Sequence, residues 1–177
     1  NEGRADEGED RMEKAVKKEG KTVKEISSFY TKDFLRGYRL LNMKEPEKFT
    51  KATEYIDEMI NFIVELEDLG YTYETSDGLY FDTSKFEGYG DLSGMKPDNV
   101  LEGARVEVNP EKRNPTDFAV WKFSPEDSNR AQEWQSPWGV GFPGWHLECS
   151  AMCLKELGET VDIHIGGEDL RMIHHQN

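Results

Sequence analysis

An α/β fold interrupted by a smaller insertion is what this sequence predicts, and three observations carry that reading. Apolar residues first recur at helical spacing, most clearly at Ala52, Tyr55, Ile56, Met59, Ile60, Ile63 and Leu66. The period then shortens to two from Tyr71 onward, where Tyr71 and Tyr73, a Ser76-Asp77-Gly78 turn and Leu79 to Phe81 predict a β-hairpin. Further along, a helix over 147–157, a β-branched run over 161–165 and a Gly166-Gly167 turn restore the strand–turn–helix order of α/β units.

The remaining elements follow in order. Residues 8–20 predict a short charged helix closed by Gly20. Thr22 with Glu25 three positions on is a capping box, and Val23, Ile26, Phe29, Tyr30 and Phe34 continue from it at helical spacing. Pro46 marks a break over 42–47, and Gly70 ends the strong helix that follows. A glycine-rich loop is expected over 88–97, a strand over 104–108, and an irregular loop over 124–138 with its prolines and tryptophans. Gly158 stops the helix that begins near Leu147, and Gly166-Gly167 is expected to open a last helix. No internal repeat or low-complexity tract is present.

Composition bounds the function. The 177 residues suffice for one large or two small domains, and 36% hydrophobic content with 11% aromatics suits a soluble fold. Mean hydropathy of -0.81 reflects a charged surface, and no apolar stretch is long enough to span a membrane. The first ten residues are acidic and polar, unlike a signal peptide. Cys149 and Cys153 are the two cysteines; four residues apart on one helix face, they make no long-range staple, which points to a reducing cytoplasm. A net charge of -14 argues against a general nucleic-acid binder. The chain opens in what reads as a loop and stops just beyond a histidine pair, so the expectation is a central piece of a longer protein.

Chemistry concentrates after Phe142. Cys149 lies near the predicted start of a helix, where the dipole favours a thiolate; the same residue would otherwise be a small core hydrophobe. Cys153 reads as a buried small hydrophobe. His174 and His175 are adjacent, so on a helix they would point about 100° apart and could not easily share one metal. One is expected to ligate, and the other to face substrate or core. His146 and His164 are weaker candidates as pocket histidines. Two protein ligands are too few for zinc, so others must come from outside this chain. Gly166-Gly167-Glu168-Asp169 would let backbone approach a nucleotide and place a carboxylate near ribose hydroxyls; a simple turn with Asp169 as a helix cap is the alternative.

These residues together resemble the cysteinyl-tRNA synthetases, a class I aminoacyl-tRNA synthetase family. The resemblance rests on Gly144-Trp145-His146-Leu147-Glu148-Cys149-Ser150-Ala151-Met152, Asp162-Ile163-His164, Gly166-Gly167-Glu168-Asp169-Leu170 and His174-His175-Gln176-Asn177. Lys112 to Phe118, Trp121-Lys122 and Ser136-Pro137-Trp138-Gly139 are similar as well, so it covers nearly the whole chain. Two positions depart: Ile165 stands where a third glycine is usual, and Gln176 replaces a usual glutamate.

The resemblance implies part of a Rossmann-like nucleotide-binding catalytic domain with an α+β connective insertion. Residues 1–47 would end the first half of that domain, 48–142 would form the insertion, and 143–177 would start the second half. It implies ATP-dependent activation of cysteine to cysteinyl-adenylate, with magnesium, and transfer to tRNA(Cys). Zinc would be held by Cys149, His174, a cysteine in the first half and a glutamate just after Asn177. Trp145, His146 and His164 would line the substrate pocket, while Gly166, Gly167 and Asp169 would bind nucleotide. The family's phosphate-binding signatures are absent, so no catalytic residue falls within these positions and the piece alone is expected to be inactive. Lys112, Arg113 and Lys122 are the basic residues to consider for the acceptor end of tRNA, or else plain surface charges. Two rivals remain: a cysteine–amino-sugar ligase with the same zinc and adenylate chemistry, and a non-catalytic zinc module.

Overall fold

A computed structural model describes residues 11–94, 109–125, 130, 132–171 and 174–177. The strand expected over 104–108 lies outside the described residues. The chain divides into two compact units, one built mainly from residues up to 49 and the other from residue 50 onward.

The first unit holds α1 (Arg11–Glu19) and α2 (Val23–Leu40). The capping box forms as the sequence predicts. The Glu25 amide donates to Thr22 Oγ1 at 3.2 Å, and the Thr22 amide donates back to the Glu25 carboxylate at 2.8 Å. The apolar stripe of α2 is buried only in part. Ile26 is buried, whereas Phe29, Tyr30 and Phe34 are 57–60% exposed.

The second unit is a five-stranded antiparallel sheet with two helices against it. After a 3₁₀ turn at Ala52–Glu54 comes α3 (Ile56–Asp68), then β1 (Thr72–Thr75), β2 (Gly78–Phe81), β3 (Phe118–Phe123), β4 (Trp134–Ser136), β5 (Gly139–Pro143) and α4 (Trp145–Leu157). The strand order is β1-β2-β3-β5-β4. The helical stripe packs as its spacing requires: Ile56, Met59 and Ile63 of α3 are buried with Leu79, Val120, Trp121, Leu147 and Ala151. The Tyr55 hydroxyl ties the start of α3 to the end of α4 by donating to Glu156 at 2.6 Å.

Three expectations need correction. The segment expected to be an irregular loop over 124–138 contains β4 at its end, and β4 pairs with β5. The β-branched run 161–165 is not a strand among the described residues; Ile163 and Ile165 are 77% and 88% exposed. A β-branched run becomes a strand only where a neighbour takes its backbone hydrogen bonds, and no described strand pairs with it. After Gly166-Gly167 the chain makes a single 3₁₀ turn, Glu168–Leu170, rather than an α-helix, with no side-chain cap.

The junction between β5 and α4 sets up the site. Gly144 lies flat against β3: its amide donates to the Val120 carbonyl at 2.9 Å, and a Cβ there would overlap the Ala119 carbonyl oxygen. Only glycine fits that approach. It lets α4 start immediately behind the sheet, so the first helical residues, Trp145 and His146, emerge beside the start of β3.

Candidate functional site

Aromatic rings assemble at the start of α4. The Trp145 indole and the His174 imidazole are stacked, with centroids 4.2 Å apart and planes 10° off parallel. His146 sits 4.2 Å from Trp145, 5.2 Å from His174 and 4.8 Å from Phe118, the first residue of β3. The Nδ1 atoms of His146 and His174 are 3.3 Å apart, and the Asn177 amide nitrogen lies 2.6 Å from His146 Nδ1. Burial, with smaller contributions from His174 and Lys112, pushes the His146 imidazole down to about 3, so it is neutral at physiological pH.

The paired histidines serve different places. They lie on a turn rather than a helix, with ring centroids 6.5 Å apart. His174 faces Trp145 and His146, while His175 faces His164, their centroids 5.1 Å apart. The His175 ring fills the space where a Gly166 side chain would be, which explains glycine at that position. Among the described residues, buried His175 Nε2 has no hydrogen-bond partner. Gly167 is half-covered by its own loop: a Cβ there would stand 2.6 Å from Asp169 Oδ1, so the Asp169 carboxylate folds back over the turn. Asp169 and His164 are exposed.

Cys149 stands on the second turn of α4 rather than at its start, because the helix begins four residues earlier, at Trp145. The consequence is positional. Trp145 and Cys149 are four residues apart and share one helix face, and His174 stacks on that face. The Cys149 thiol is half-buried, and thiolate and imidazole are donor types that zinc accepts. Among the described residues no three His, Cys, Asp or Glu side chains converge as a complete metal site.

The basic residues considered for tRNA are committed to the fold. Arg113 lies over the Tyr73 ring at 4.1 Å and donates to Asp82 at 3.2 Å. Lys122 donates to Asp77 at 2.5 Å and to the Tyr80 hydroxyl at 3.0 Å, and Lys112 donates to the Pro115 carbonyl at 2.9 Å. Burial opposes the charge on Lys122, yet hydrogen bonds to Asp77 and Tyr80 outweigh it and raise its affinity for the proton.

Two groups of residues carry structure the sequence does not advertise. Asp117 is buried and accepts hydrogen bonds from the Tyr73 hydroxyl, the Thr83 amide and hydroxyl, and the Asn114 amide. In the glycine-rich loop, Tyr89 donates to the Asn177 side-chain carbonyl, and Ser93 donates to the Gln176 side-chain carbonyl at 2.6 Å. The Gly-Tyr-Gly-Asp-Leu-Ser-Gly composition of that loop signals a turn and nothing about its target.

The sequence profile of the tRNA synthetase class I (C) catalytic domain matches residues 6–177, and the chain belongs to that family. Its relatives are more particular. Cysteine–tRNA ligase 1 of Burkholderia lata is 51% identical over 98% of this chain and 37% of its own length. The cysteine–tRNA ligases of Treponema denticola and Zymomonas mobilis are each 47% identical, over 97% and 98% of this chain. The chain spans about a third of the length of these relatives, 35% and 33% for the latter two.

Proposed function

We propose that the protein carrying this chain is a cysteine–tRNA ligase of the cytoplasm. It would activate cysteine with magnesium-bound ATP to cysteinyl-adenylate and transfer the cysteine to the terminal adenosine of tRNA(Cys). The single observation that carries the reading is the Trp145–His174 stack at the start of α4, which sets an imidazole against the helix face that bears Cys149. The relatives named cysteine–tRNA ligase support the same reading. Residues 1–47 would close the first half of the nucleotide-binding domain, 48–142 form the insertion, and 143–177 open the second half.

Each residue has a task in this scheme. Cys149 and His174 would hold zinc with ligands from outside this chain, and the ion would supply a soft Lewis acid that prefers a thiol to a hydroxyl. Trp145 walls the amino-acid pocket. His146, neutral and half-buried, adds no positive charge beside the substrate ammonium. Gly166 and Gly167 let the nucleotide approach backbone, Asp169 holds the ribose hydroxyls, and exposed His164 lines the entrance.

Cysteine-dependent pyrophosphate exchange, followed by transfer of labelled cysteine to tRNA(Cys), tests the proposal in the full-length protein. Cysteine should be activated and serine should not. Activation without transfer to tRNA, or no activation of cysteine at all, would overturn it.

A further inference from the structure

We propose that Tyr89, on the glycine-rich loop, is a positioning residue for the amino-acid pocket, acting through Asn177 on His146. The proposal rests on the ligase reading and adds to it a residue 56 positions before the start of the helix that bears the pocket.

The argument is one of donor and acceptor order. An asparagine side chain has one acceptor end and one donor end, and the neighbours decide which way it points. The half-buried Tyr89 hydroxyl can rotate to donate, and it meets the Asn177 carbonyl oxygen. With its carbonyl turned to Tyr89, the Asn177 amide presents Nδ2 to His146 Nδ1, 2.6 Å away, as a donor. His146 Nδ1 is then held as the acceptor, which fixes both the tautomer and the tilt of the ring. The ring so fixed touches Phe118, Trp145 and His174 together. One phenol therefore sets the wall on which a substrate would rest. Ser93 of the same loop anchors the neighbouring Gln176, so the loop grips the turn at two points.

Burial pushes the Tyr89 hydroxyl up to about 12, against hydrogen bonds with Gln176 and Asn177 that pull the other way, so it stays protonated over the working pH range. Tyr89 touches neither metal ligand nor substrate in this scheme, and its influence should appear as a change in pocket shape rather than in metal content.

The test uses the full-length protein at pH 8 with Tyr89→Phe, which keeps the ring and removes only the hydroxyl. In cysteine-dependent pyrophosphate exchange, KM for cysteine should rise about five- to thirty-fold with KM for ATP and zinc content unchanged. Asn177→Ala should raise the cysteine KM as well, and the double variant should be no worse than Asn177→Ala alone, because both act through one chain. Nitrogen-15 spectra of histidine-labelled protein, assigned with His146→Gln, should show the Nδ1 acceptor signal of His146 in the wild type and a mixture of tautomers in Tyr89→Phe. A wild-type cysteine KM in Tyr89→Phe, additive effects in the double variant, or an unmoved His146 signal would overturn the proposal. Wild-type protein that activates no cysteine, with the His146 signal still responding to Tyr89→Phe, would instead sink the ligase reading alone.

Discussion

Asp117 and Phe118 are neighbours in sequence at the start of β3, and they serve two polar clusters of opposite character. The Asp117 carboxylate is buried among donors that all belong to the fold: Tyr73, Thr83 and Asn114. Phe118 instead packs against His146, in a group of stacked rings that also takes in Trp145 and His174. Successive residues of a strand face opposite ways, so one strand end can build both. The lesson is in the accounting of hydrogen bonds. A carboxylate whose donors all belong to the fold is holding structure together, whereas the rings round His146 are tied by stacking and by contacts from Asn177 and His174.

That contrast can be broken most severely at Asp117. Asp117→Ala strands the Thr83 and Asn114 amides and the Tyr73 hydroxyl inside the protein, and should cost about 3–5 kcal/mol of stability in urea unfolding. Cysteine activation per folded molecule should stay within about two-fold. A variant with normal stability and no activity would erase the distinction between the two clusters.

Asp169→Ala probes the other side. It should weaken ATP about 30- to 1,000-fold, on the order of 2–4 kcal/mol, while zinc content stays normal. Loss of folding with ATP affinity intact would assign Asp169 to the turn it folds over.

Acid sharpens the comparison at smaller cost. Burial alone would raise Asp77 and Asp82, but hydrogen bonds from Lys122 and Thr75 to the first, and from Ser84 and Arg113 to the second, leave both below the usual carboxylate range. Carboxylates with depressed folded-state values contribute stability that is present above their unfolded value, near 3.8, and is lost as pH falls through the folded one. The urea midpoint should therefore drop as pH falls from about 4 toward 2, and Asp77→Asn should flatten part of that slope. Lys122→Met should remove about 1–2 kcal/mol at pH 7, because Lys122 is half of that pair and only 20% exposed. A wild-type pH profile in both variants would show the hairpin corner to be held by packing alone.

Which parts were readable from sequence follows from the same physics. The α3 stripe, the Thr22–Glu25 box and the first hairpin were legible because each depends on residues close in the chain. β3 and β5 were not. β3 reads Phe-Ala-Val-Trp-Lys-Phe, a central strand without clean alternation, and β5 reads Gly-Val-Gly-Phe-Pro, which looks like a turn. Gly141 is small because it lies against the Lys122 carbonyl of the neighbouring strand, a reason no local pattern reveals. The opposite error came at 161–165, whose β-branched residues suit a strand that finds no described partner. In the site, the sequence marked Trp145, His146 and His164 for a substrate pocket and His174 for a metal; the rings of Trp145, His146 and His174 lie together, whereas His164 lies beside His175. Tyr89 and Ser93 were not, since a loop's target is fixed by tertiary docking.

The central claim is that the face of α4 bearing Trp145 and Cys149 is the chemical face, and metal analysis of Cys149→Ser in the full-length protein tests it most directly. Serine keeps the size and removes the soft donor, so the variant should lose most of its zinc and nearly all cysteine-dependent pyrophosphate exchange while remaining folded. Wild-type zinc content together with wild-type exchange would contradict the account.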